Sequence, residues 1–114
     1  MAIAILGMLD EREEALSLIK GQIEQRGHKA ILIDVTIGTG GIVPSLKADV
    51  TCDEVIRIAG GTMEGIKNML AKEREKAISL MADGLTKKIL ELHQAGQLKG
   101  IIAIAKIVYL VNFV

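Results

Sequence analysis

The sequence predicts an α/β fold, a three-layer Rossmann-like domain with a short parallel sheet. Apolar runs at Ala2–Leu6, Ala30–Val35 and Ile101–Ala105 have the length and composition of buried strands. Segments with three-or-four apolar spacing separate them, as crossover helices require. The second run passes directly into a glycine loop, Thr36-Ile37-Gly38-Thr39-Gly40-Gly41. A parallel βαβ unit collects the carboxyl ends of its strands along one sheet edge, where open α/β folds bind ligands.

The elements follow in order. After the Gly7 turn, Asp10 and Glu13 form a D-x-x-E capping box that predicts the start of helix one. Leu16, Ile19 and Ile23, flanked by Ala15 and Leu18, supply its buried stripe, and Gly27 stops it. The second strand is apolar throughout, as a strand covered on both faces must be. A loop of some fifteen residues then runs from Thr36 to Val50, longer than ordinary βα connections and therefore a functional candidate. Thr51 and Glu54 make a second capping box, and the short helix behind it ends at Gly60-Gly61. Thr62 caps a further segment containing Ile66, Met69 and Leu70. The longest helix spans Lys72 to Ala95 on a stripe of Ile78, Met81, Leu85, Ile89 and Leu92, with Gly96 ending it. Met63 and Met81 fall at core positions and read as gap fillers.

A chain of 114 residues with half its residues apolar makes one domain at most. Its formal charge of zero gives no basic excess for nucleic acid or a membrane surface, so neither is expected as a partner. The lysines around Lys72–Lys76 and Lys87-Lys88 read as solvated helix faces. One cysteine, Cys52, rules out an internal disulfide and a multi-cysteine metal site. Beside a helix start its thiol could be activated, but no histidine stands where it would help, and a structural role is preferred. The opening apolar run has no basic flank and is too short for a signal peptide, and Gly100–Val114 falls short of a bilayer span. A soluble cytoplasmic protein is the expectation.

Candidate binding residues gather at the carboxyl edge. Gly7 and Asp10 form the turn after strand one, which lacks the G-x-G-x-x-G fingerprint, and Asp10 is either a helix cap or a ligand contact. Asp34 ends strand two, where an acid can accept hydrogen bonds from a ribose or can cap a turn. Gly38, Gly40 and Gly41 would let a backbone approach a ligand closely. Gly60 and Gly61 read as a corner between helices. His28 falls at the opposite edge, and His93 lies near a helix end, so neither has metal-ligand spacing. No nucleophile–base or paired-carboxylate arrangement is present, and no activity of its own is expected.

The segments ILGMLDEREEALSLIKGQIEQRGHKAILIDV, VTCDEVIRIAGGT, REKAISLMADGLTKKILEL and GIIAIA, in this order, resemble the N-terminal domain of the Tm-one-like ATP-binding family. The resemblance covers about residues 2 to 105, which divides the chain into an α/β domain over 1–105 and an apolar tail over 106–114. It implies a nucleotide-binding-like domain with ATP as the candidate cofactor. Gly7 and Asp10 match the family's opening turn, while Met8, Glu11 and Arg12 depart from it. Asp34 matches the family's acid in strand two, and Gly60 its glycine after the short helix. The family's glycine- and serine-rich segment after strand three is replaced here by Lys106–Val114, so the fold is incomplete relative to the family and nucleotide binding is expected to be weak. The alternative expectation is a non-catalytic domain that forms a homo-oligomer through the apolar C-terminal strand.

Overall fold

The structure, a computed structural model, describes residues 2–36 and 45–104. Three strands, β1 (Ala2–Gly7), β2 (Lys29–Asp34) and β3 (Leu98–Ile104), form one sheet in the order β2-β1-β3, parallel throughout. Helix α1 (Leu9–Gln25) joins β1 to β2, and α2 (Cys52–Ile58), α3 (Met63–Lys72) and α4 (Arg74–Gln94) lie between β2 and β3. A right-handed crossover from β1 out to β2 and another back past β1 to β3 must use opposite faces of the sheet. They do so here. On one face Ile5 and Leu32 pack with Leu9, Leu16 and Ile23 of α1. On the other, Ala4, Leu6, Ile31 and Ile33 meet Val55 and Ile56 of α2, Ile66 of α3, and Met81 and Leu85 of α4. The predicted three-layer α/β fold is therefore the observed one.

Local sequence sets most of the boundaries. Thr51 Oγ1 accepts a hydrogen bond from Glu54 N (3.2 Å) and Thr62 Oγ1 from Gly65 N (3.0 Å), so α2 and α3 start where their caps predict. Gly27, Gly60 and Gly96 take positive φ just beyond the ends of α1, α2 and α4. Helix α4 crosses α2 at Gly84, where an added Cβ would lie 2.0 Å from the Val55 carbonyl oxygen. Only hydrogen fits there.

Three expectations need correction. Helix α1 begins at Leu9 with Met8 as N-cap, and no side chain of the Met8 position caps it, so Asp10 and Glu13 form no capping box. Those two carboxylates instead accept bonds from the loop that follows β2: Thr36 Oγ1 donates to Asp10 (3.0 Å) and Ser45 N to Glu13 (2.8 Å). Leu18 lies 66% exposed and outside the stripe, whereas Leu9 is buried within it. The third apolar run is not a buried strand, since Ile101 and Ile102 of β3 remain 49% and 38% exposed. A parallel strand needs cover on both faces, and α1 packs on β1 and β2 while α4 packs chiefly on α2 and α3. The apolar tail 106–114 lies outside the described residues.

The two sheet edges are treated differently. Beyond β2, Asp49 N and Val50 N donate to Leu32 O, Asp34 N donates to Val50 O, and Asp49 Oδ2 accepts from Leu32 N. This short parallel bridge between Ile33 and Val50 occupies outward hydrogen-bonding groups of Leu32 and Asp34, in the second half of β2. Among the described residues, β3 has no corresponding cover.

Candidate functional site at the carboxyl edge of the sheet

In a sheet ordered 2-1-3, the crossover leaving β1 and the one returning from β2 pass to opposite sides, so the topological switch point lies between β1 and β3. Gly7 and Ile104 are register partners at that point, and Gly7 is also opposite Asp34 on β2. Helix α1 starts at the same edge. Gly7 is a glycine because of crowding: a Cβ would come within 2.8 Å of Leu16 Cδ2 and 3.1 Å of Ile104 O.

Asp34 is the centre of a polar knot. Its Oδ1 accepts hydrogen bonds from Leu9 N (3.1 Å), Thr36 N (2.9 Å) and Thr36 Oγ1 (2.6 Å). The bond to Leu9 N caps α1 from another strand, which explains how a helix with Met8 at its N-cap starts without a local polar side chain. The bond to Thr36 N is an Asx turn that bends the chain as it leaves β2. The Thr36 hydroxyl lies within reach of both Asp34 and Asp10, so it ties the end of β2 to the first turn of α1. Both Asp34 and Thr36 are buried.

Cys52 opens α2 on the other side of this carboxylate. Burial pushes its thiol up to about 11, with the negative charge of Asp34 as the second cause, and backbone hydrogen bonds at the helix start lower it by less. Desolvation and like charge thus defeat the helix terminus, and Cys52 stays a protonated thiol at neutral pH. The structural role preferred for it agrees with this chemistry.

Of the predicted binding residues, Gly7, Asp10 and Asp34 are brought together at the edge. Gly38, Gly40 and Gly41 lie outside the described residues. Thr36 escaped the sequence reading although its signal was present, an Asp followed two residues later by a residue whose amide can close an Asx turn. The amides of Leu9, Glu11 and Arg12 are already engaged, by Asp34 and by Met8 O. Asp10 and Glu11 add negative charge to the first turn, so α1 offers little to an anion. Among the described residues no group of three His, Cys, Asp or Glu could hold a metal ion. A shallow depression of about 180 Å³ lined by Ala2, Lys29, Ile31, Gly96 and Gln97 lies at the opposite, amino-terminal edge, away from this cluster.

Residues 1–105 match the N-terminal domain model of the uncharacterised protein family UPF0261. The chain belongs to this family. UPF0261 proteins of Brucella suis biovar 1 and Brucella melitensis biotype 1 are each 30% identical to it over 102 residues, 90% of this chain. The chain spans 23% of the length of each relative. No solved structure matches it. Among the described residues, no helix of this UPF0261 domain is long and apolar enough to cross a membrane.

Proposed function

We propose that this UPF0261 domain binds a nucleotide-class ligand, with ATP the candidate, in the crevice between the carboxyl ends of β1 and β3, and that it has no catalysis of its own. The observation that carries this reading is the 2-1-3 parallel order, which puts Gly7 and Ile104 at the switch point beside the start of α1, with Asp34 next to Gly7 on β2. The resemblance to the Tm-one-like ATP-binding family supports the same ligand class.

Chemistry at the edge favours the nucleoside part over the phosphates. Sugar hydroxyls donate hydrogen bonds, and Asp10 and Asp34 are acceptors. Asp34 Oδ1 already serves three donors, so a ribose would meet Asp10 or the second oxygen of Asp34. Phosphate would find engaged amides and neighbouring carboxylates at α1, and its grip must come from Gly38, Gly40 and Gly41 or from polypeptide beyond this domain.

Thermal denaturation with adenosine, ADP and ATP, each with and without Mg²⁺, tests the proposal. A ligand at a hundred times its Kd stabilises the folded state by about 2.7 kcal/mol. Adenosine and ATP should raise the melting temperature to similar extents. No shift with any of them at millimolar concentration overturns the reading.

A further inference from the structure

We propose that the first turn of α1, residues Leu9 to Arg12, is a latched switch segment that opens as a unit of its own, hinged at Arg12 and held down by the end of β2. Helix α1 is interrupted near its start. Arg12 has φ −124° and ψ 26°, outside the helical region, so the turn before it and the body after it are two helical pieces in sequence. Within the turn, Glu11 N and Arg12 N share one acceptor, Met8 O, at 3.1 and 2.8 Å. Two further ties come from the end of β2: Leu9 N donates to Asp34 and Thr36 Oγ1 donates to Asp10, across 25 and 26 residues of chain. Beyond the break the partners change. Glu13 accepts from Ser45 N, and Leu16 and Ile23 are buried against Ile5 and Leu32 of the sheet. Leu9 seats the closed turn in that same core.

The latch is built to yield. Thr36 has one hydroxyl proton and two carboxylates to serve, Asp34 at 2.6 Å and Asp10 at 3.0 Å. Asp34 is the closer acceptor, so Asp10 holds the weaker share, and the two like charges repel across the hydroxyl. A change of hydrogen bonding at either carboxylate therefore shifts the first turn while the body of α1 stays on the sheet. Every contact involved lies within this chain, so the device does not depend on nucleotide binding.

Amide hydrogen exchange of the full chain in low, sub-denaturing urea tests the proposal. Local opening exposes little surface, so exchange at Leu9, Glu11 and Arg12 should be nearly independent of urea, whereas Leu16, Ile19 and Ile23 should follow the slope of global unfolding. Thr36→Val removes the hydroxyl and should speed exchange of the three first-turn amides roughly five-fold, the factor expected for one hydrogen bond. Thr36→Ser should restore the original rates. Ordinary fraying of a helix end would leave those rates unchanged in Thr36→Val. If Thr36→Val fails to fold, Asp10→Ala, at the partly exposed end of the latch, is read in the same way. First-turn amides that share the urea slope of Ile23, rates unmoved by loss of the Thr36 hydroxyl or the Asp10 carboxylate, or a Thr36→Ser variant as fast as Thr36→Val would each overturn it.

Discussion

Replacing Asp34 with alanine removes one acceptor oxygen that serves three donors. Two of these, Leu9 N and Thr36 N, belong to buried residues and bond to Asp34 Oδ1. The third, the Thr36 hydroxyl, can keep its bond to Asp10 at 3.0 Å. Two orphaned buried amides at about 1–3 kcal/mol each, one of them the cap of α1, give an expected loss of about 3 kcal/mol. For a domain of this size that lowers the melting temperature by roughly 12 °C or more. Asp34→Asn keeps a carbonyl oxygen and loses the charge, and should cost about 1–2 kcal/mol. Urea unfolding is the assay, with the midpoint moving and the slope unchanged. An alanine variant within about 0.5 kcal/mol of the original, the range of ordinary surface changes, would refute the polar knot.

Gly84→Ala should destabilise by about 1–3 kcal/mol, because its Cβ would sit 2.0 Å from Val55 O and force α2 and α4 apart. Gly21→Ala, in α1 with nothing within 4 Å of the new methyl, should stabilise by roughly 0.5–1 kcal/mol, and the two measured together separate crowding from helix propensity. Cys52 should react slowly with iodoacetamide at about pH 8 in the folded protein and quickly once unfolded, since only the thiolate attacks. Its folded-state value of about 11 lies above the ordinary 9.0, so the folded state holds this proton more tightly. That stability is complete below pH 9, declines as the pH rises through 11, and should be missing from the pH profile of Cys52→Ala.

The parts of this fold legible in the sequence are those set by near neighbours. Thr51 and Thr62 cap helices three residues ahead, and Gly27, Gly60 and Gly96 end them by taking a backbone conformation that side chains disfavour. The stripe of α4 was legible at Met81, Leu85 and Leu92, although Ala77 and Gly84 also proved buried, being small enough to admit a neighbouring helix. Where a distant residue decides, local reading failed. Asp10 and Glu13 satisfy the spacing of a capping box, yet Asp34 supplies the cap from 25 residues away. Apolar content predicted a buried third strand, but burial requires a neighbour, and among the described residues β3 is the outermost strand. The carboxyl edge as a candidate site follows from strand order along the chain, while the switch point between β1 and β3 follows only from spatial order.

Amide chemical-shift mapping of the isotope-labelled chain, titrated with adenosine and then with ATP, tests the carboxyl-edge site most directly. Saturable shifts are expected at Gly7, Met8, Asp10, Asp34, Thr36 and Ile104, nearly the same for both ligands. No shifts, or shifts confined to Ala2, Lys29 and Gln97 at the amino-terminal edge, would contradict it.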